Sequence, residues 1–94
     1  MATLSQPEAE ARLRELPGWA LDGSAIRKQF VFGDFPEAVR FVQRLVPGAE
    51  AADHHPDVLI NYKRVTLTYS THSEGGLTEK DFAGAKMAES VATG

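Results

Sequence analysis

The chain has 94 residues, 43% of them hydrophobic and 24% charged, with a formal net charge of −3. That length holds one domain, spanning 1–94, and the composition is that of an ordinary globular protein. The acidic balance argues against a nucleic-acid or anionic-membrane surface, because phosphate binding needs an excess of Lys and Arg. The absence of cysteine excludes a disulfide scaffold, a thiol nucleophile and thiolate metal sites. No secretory pattern opens the sequence and no apolar run reaches transmembrane length, so a cytoplasmic protein is expected.

Ser5-Gln6-Pro7-Glu8 has the spacing of a capping box, and Ala9, Leu13 and Leu16 then recur on one helical face. Pro17-Gly18 stops that helix. Trp19 to Leu21 reads as a short strand, with Trp19 a core or interface anchor. Asp22-Gly23-Ser24 reads as a tight turn, and Ala25 to Phe32 as a second strand with Ile26, Phe30 and Phe32 on one face. Asp34-Phe35-Pro36-Glu37 starts a second helix. Val39, Val42, Leu45, Val46 and Ala49 follow at helical spacing. Pro47-Gly48 falls inside this helix and predicts a kink, or a break and restart, near Val46.

Val58 to Tyr62 and Val65 to Ser70 read as a second hairpin. Val65, Leu67 and Tyr69 alternate with Thr66, Thr68 and Ser70, which gives one apolar and one hydroxyl-rich face. Gly75-Gly76 allows a sharp loop, and Thr78-Glu79-Lys80-Asp81 resembles a third helix start. Phe82, Ala85, Met87, Ala88 and Val91 supply its apolar side. One-sided strands need helices on their apolar face. The expected fold is α+β, a four-stranded antiparallel sheet with helices packed on one face, in the order α-β-β-α-β-β-α. Pairing of sheet edges between subunits is one remedy for their exposure.

All three histidines fall in the C-terminal half. His54 and His55 precede the third strand and His72 follows the fourth. Antiparallel pairing sets the start of one strand beside the end of the other, so these imidazoles are drawn together. Glu50 lies one helical turn before His54, and Asp81 opens the helix that leaves the same end of the hairpin. Imidazole suits proton exchange near neutrality. Spacing alone leaves three readings open: an acid–base enzyme, a histidine metal site, or polar residues capping a hairpin mouth. Several residues also have plainer roles. Asp81 fits a helix cap, Glu50 a solvated carboxylate, Pro56 a helix stop and Tyr62 a packing or turn position.

The run Glu50, His54-His55-Pro56, Tyr62, His72, Asp81 resembles the signature of the pterin-4a-carbinolamine dehydratases. That pattern is an acidic residue, three residues, His, His or Asn, Pro, a spacer, an aromatic, nine residues, His, a spacer and Asp; every position is filled here. Pro17-Gly18-Trp19, Asp34-Phe35 and Ser70-Thr71-His72 also resemble the family, so the likeness covers nearly the whole chain. The resemblance implies dehydration of 4a-hydroxytetrahydrobiopterin to quinonoid dihydrobiopterin, in tetrahydrobiopterin recycling, without metal or cofactor. It implies a homodimer or homotetramer. By position, His54, His55 and His72 form the acid–base set, with His55 the donor to the leaving hydroxyl and His54 or His72 the base. Asp81 and Glu50 orient the imidazoles. Pro56 and the Thr71-His72-Ser73-Glu74 run line the pterin site. Pro47-Gly48 departs from the pattern, and a shift of Glu50 relative to His54 is expected from it. Relatives on this fold also bind a homeodomain transcription factor or resemble assembly factors of a carbon-fixing enzyme, so a non-catalytic binding protein is the alternative.

Overall fold

The computed structural model describes residues 3–93. Helix α1 (Gln6–Leu13) leads to strands β1 (Ala20–Asp22) and β2 (Ala25–Val31), then helix α2 (Phe35–Ala52). Strands β3 (Asp57–Asn61) and β4 (Arg64–Tyr69) follow, then a single 3-10 turn (His72–Glu74) and helix α3 (Glu79–Thr93). The expected α+β order is observed. All pairings are antiparallel and the sheet order is β1-β2-β4-β3.

The sequence signals act where they stand. Ser5 accepts from Glu8 N at 3.3 Å while the Glu8 carboxylate accepts from Ser5 N at 2.8 Å, closing the capping box. Asp34 caps α2 through Glu37 N at 2.9 Å, and Glu37 reaches back to Gly33 N at 3.1 Å. Gly23, at φ +63, opens the two-residue turn between β1 and β2. Tyr62 takes the left-handed conformation (φ +57) in the β3–β4 turn, so it is a turn residue rather than the end of a strand.

The register aligns Ile26 with Tyr69 and Phe30 with Val65. These side chains, with Leu67, form the buried face of the sheet. Against it α2 lays Ala38, Phe41, Leu45 and Ala49, and α3 lays Phe82, Ala85 and Ala88. Phe41 sits 4.9 Å from both Phe30 and Phe32, ring centre to ring centre. Trp19 meets Phe30 edge-on at 6.0 Å, and its indole N–H donates to Glu89 of α3 at 2.9 Å. Lys28 Nζ joins Glu89 at 2.6 Å. Arg12 and Glu79 pair at the surface and tie α1 to the start of α3.

Two expectations for α2 need correction. The helix is continuous through Pro47, without break and restart. An interior proline costs roughly 3 kcal/mol, but Leu45 and Ala49 on either side are buried in the core, and that burial holds the helix through the lost hydrogen bond. Val46 is not on the apolar stripe: it stands 53% exposed, because it follows Leu45 by a single position and points about 100° away.

Helix α3 approaches the sheet and α2 at two glycines. A Cβ on Gly84 would lie 2.5 Å from Tyr69 Cε1 and 2.8 Å from Cζ, and one on Gly48 would lie 2.8 Å from Met87 Sδ. The Tyr69 ring is fully buried and cannot yield. Gly84→Ala is therefore expected to destabilise the fold by about 1–3 kcal/mol through overpacking. Urea unfolding measures this, and an unchanged midpoint would show that α3 has room to move.

Candidate active site

The end of α2 sets the site. Asp53 adopts the left-handed conformation (φ 51), its N–H bonds to Ala49 and Glu50 carbonyls, and His54 N reaches the Ala49 carbonyl at 3.2 Å. This is the pattern of a Schellman closure, here with Asp instead of the usual Gly. It turns the chain sharply, so that His54 and His55 leave the helix beside its last turn.

The β3–β4 register does the rest. Asp57 pairs with Thr68, so the same register continued outward sets His54 across from Thr71. Asp81 bridges these two positions. Its Oδ1 lies 2.7 Å from His54 Nε2, and its Oδ2 accepts from the Thr71 hydroxyl at 2.8 Å and from Thr78 N at 2.9 Å. Asp81 is fully buried, and the His54 side chain is 11% exposed. The Tyr69 ring lies against the His54 ring at 6.0 Å, inclined by 23°.

His55 takes a different carboxylate. Its Nε2 is 2.6 Å from Glu50 Oε2, and both side chains are open to solvent. The pair lines an apolar cleft of about 150 Å³ between α2 and β3, walled by Val42, Val46, Pro56 and Val58. His54 lines a second cleft of similar size, with Lys80, Gly84 and Met87. A larger cavity, about 420 Å³, lies between the start of α1, the β1–β2 turn and Gly75–Leu77, and no histidine or carboxylate lines it.

The structure thus joins His54 with Asp81 and His55 with Glu50, and these two imidazoles line separate clefts. His72 stands exposed at the head of the 3-10 turn and lines neither cleft. It is held near the cluster through its neighbour Thr71, whose hydroxyl is buried and committed to Asp81. Ser73 and Glu74 are exposed on the same turn. Asp81 serves as helix cap and imidazole partner at once. Among the described residues, no three His, Asp or Glu side chains converge as a metal set, because His54 and His55 turn their Nε2 atoms to separate carboxylates. No helix of the described residues is long and apolar enough to cross a membrane.

Sequence reasoning passed over Tyr69 and Thr78 as site residues. Tyr69 read as a core position, and nothing local signals that its ring also backs a histidine. Thr78 read as a cap, and its three-residue spacing to Asp81 was the available signal.

Fold and cluster together define a class: small α+β domains holding histidine–carboxylate pairs where an edge hairpin meets a helix end. The sequence profile of the family described as pterin 4 alpha carbinolamine dehydratase matches residues 2–91. The chain belongs to that family. It is 46% identical over 88 residues to a Sulfolobus acidocaldarius protein that is provisionally named a pterin-4-alpha-carbinolamine dehydratase; the match covers 94% of this chain and 97% of that one. A crystal structure of a Brucella melitensis protein, described as a transcriptional coactivator/pterin dehydratase, superposes with a TM-score of 0.91 at 40% identity, covering 96% and 98% of the two chains. A pterin dehydratase-like protein described as a RuBisCO assembly factor in the alpha-carboxysome shares the fold, with a TM-score of 0.64 at 21% identity over 79% of this chain and 86% of its own.

Burial pushes the Tyr69 phenol up to about 12, and the charge of Asp81 acts in the same direction. A phenol in the unfolded chain ionises near about 10. The folded state therefore keeps its full Tyr69 contribution below that pH and loses it as pH rises from there through about 12. In a Tyr62→Phe background, which leaves Tyr69 as the single tyrosine, tyrosinate absorbance is expected to rise together with loss of the folded far-UV signal. Ionisation well below that point in a chain that stays folded would contradict the burial argument.

Proposed function

We propose that the chain dehydrates 4a-hydroxytetrahydrobiopterin, or a closely related 4a-hydroxypterin, to quinonoid dihydropterin and water, in tetrahydrobiopterin recycling. The observation that carries this reading is the pair of adjacent imidazoles, each held by its own carboxylate, one buried and one exposed. Dehydration needs a proton delivered to the 4a-hydroxyl as the C–O bond breaks, and a proton removed from a ring nitrogen as the imine forms. One donor and one acceptor do both.

His55 is the donor: it faces solvent beside the apolar cleft and its Nε2 is paired with Glu50. His54 or His72 is the base. Glu50 and Asp81 orient the rings. The cleft wall at Pro56, together with the backbone of Thr71, His72, Ser73 and Glu74, lines the pterin. No metal or cofactor takes part, and the cysteine-free composition is in keeping with a reducing cytoplasm.

His55→Ala is expected to lower turnover by about 10²–10⁴-fold, the usual contribution of a general acid, in a protein that stays folded. Stopped-flow dehydration of a 4a-hydroxypterin generated in situ measures it, and a chelator is expected to leave the wild-type rate unchanged. Full turnover in the folded variant removes His55 from the mechanism, and a stoichiometric metal lost with activity overturns the metal-free reading.

The homodimer or homotetramer rests on β3. This edge strand pairs with β4 alone among the described strands and carries Leu59 at 62% exposure and Val58 at 41%. It has no lysine, proline or bulge, and its one charge is Asp57 at the strand's start. A second copy laid antiparallel about Leu59 would set Val58 against Ile60 and Asp57 against Asn61, with no like charges opposed. Leu59→Lys is expected to shift the assembly toward monomer in analytical ultracentrifugation; an unchanged mass excludes this edge.

The same exposed edge supports a second reading, a binding role such as the description of the Brucella melitensis relative includes. A stable protein partner captured by a chain without dehydratase activity would favour it.

A further inference from the structure

Helix α3, the end of β4 and the α2–β3 junction share a polar chain whose hydrogens can be assigned without ambiguity. Lys80 N–H donates to Thr78 Oγ1 at 3.2 Å, and the Thr78 and Thr71 hydroxyl oxygens lie 2.9 Å apart. The Thr71 hydroxyl has one hydrogen, and it goes to Asp81 Oδ2 at 2.8 Å. Between the two threonines Thr78 is therefore the donor. Thr78 N–H adds a second bond to the same oxygen at 2.9 Å.

Oδ2 is thus filled by two donors that cannot reverse, one a hydroxyl already oriented and one a backbone amide. Oδ1 faces His54 Nε2 at 2.7 Å in a place where Asp81 is fully buried. An ionised carboxylate only accepts, so Nε2 must carry the hydrogen. The Tyr69 ring packs beside the His54 ring, and α3 backs Tyr69 at Gly84. His54 Nδ1 has no hydrogen-bond partner among the described residues, yet the single buried side-chain polar atom lacking one is Tyr69 Oη; Nδ1 is therefore open to the surface.

We propose that Thr71 and Thr78 are positioning residues that lock His54 in the tautomer with hydrogen on Nε2, so that Nδ1 is the atom that exchanges protons with substrate. The exchange itself rests on the dehydratase reading; the tautomer does not. Both threonine hydroxyls act through Asp81 and touch no reacting atom. Each is a donor that valine, of nearly the same shape, cannot replace.

Heteronuclear NMR of the imidazole nitrogens in the full chain, at a pH where the ring is neutral, tests this. In the wild type the His54 Nε2 signal is expected to be that of a protonated nitrogen and Nδ1 that of an unprotonated one. Thr71→Val is expected to give a mixture of the two tautomers and to lower kcat about ten- to a hundredfold with little change in KM. Thr71→Ser restores both. Thr78→Val, which removes the donor one step further out, gives a smaller shift in the same sense and serves if Thr71→Val does not fold. A wild-type His54 protonated on Nδ1, or a tautomer unmoved by folded Thr71→Val or Thr78→Val, overturns the proposal. A locked tautomer in a chain without dehydratase activity sustains the positioning role and sinks the dehydratase reading instead.

Discussion

A carboxylate stripped of water is costly unless every lone pair it exposes meets a donor. Asp81 is such a group, and its partners come from three separate parts of the chain: His54 after α2, Thr71 after β4, and Thr78 at the start of its own helix. Satisfying it therefore requires that the hairpin be closed, that α2 end where it does, and that α3 begin at Thr78. The site and the fold are specified by the same bonds. Removing one donor from such a cluster leaves a buried charge short of a partner, which is a larger penalty than the loss of an ordinary surface pair.

The two adjacent imidazoles are made unlike by their surroundings. His54 is enclosed by Asp81 and the Tyr69 ring, whereas His55 and Glu50 meet in the open beside an apolar wall. A pair of otherwise identical groups with separate roles is a common solution for reactions that need one proton given and another taken. Membership of the pterin 4 alpha carbinolamine dehydratase family supplies the class of reaction; the split environment gives the proposed donor and the proposed base different surroundings.

Much of this was legible in the residues. Capping patterns at Ser5 and Asp34 marked helix starts, strict alternation from Val65 to Tyr69 marked the central strand, and pairing logic brought position 54 toward position 71. What sequence missed depends on packing. Pro47 signalled a kink, or a break and restart, and the break is absent because local propensity cannot weigh the burial of Leu45 and Ala49 on either side of it. The 3-10 turn that begins at His72 and leaves that side chain exposed is announced by no short-range pattern. Asp53 in left-handed geometry, the residue that aims both histidines, is invisible to a rule that looks for glycine.

The sole tryptophan of the chain lies on the far side of this arrangement. Its indole nitrogen is tied to Glu89 in the C-terminal half of α3, and its ring abuts both Phe30 and Tyr69. One aromatic thus touches the sheet, the helix that carries Asp81 and the ring that backs His54. Its intrinsic fluorescence is a built-in gauge of whether that helix is seated, readable in the unlabelled protein and without substrate.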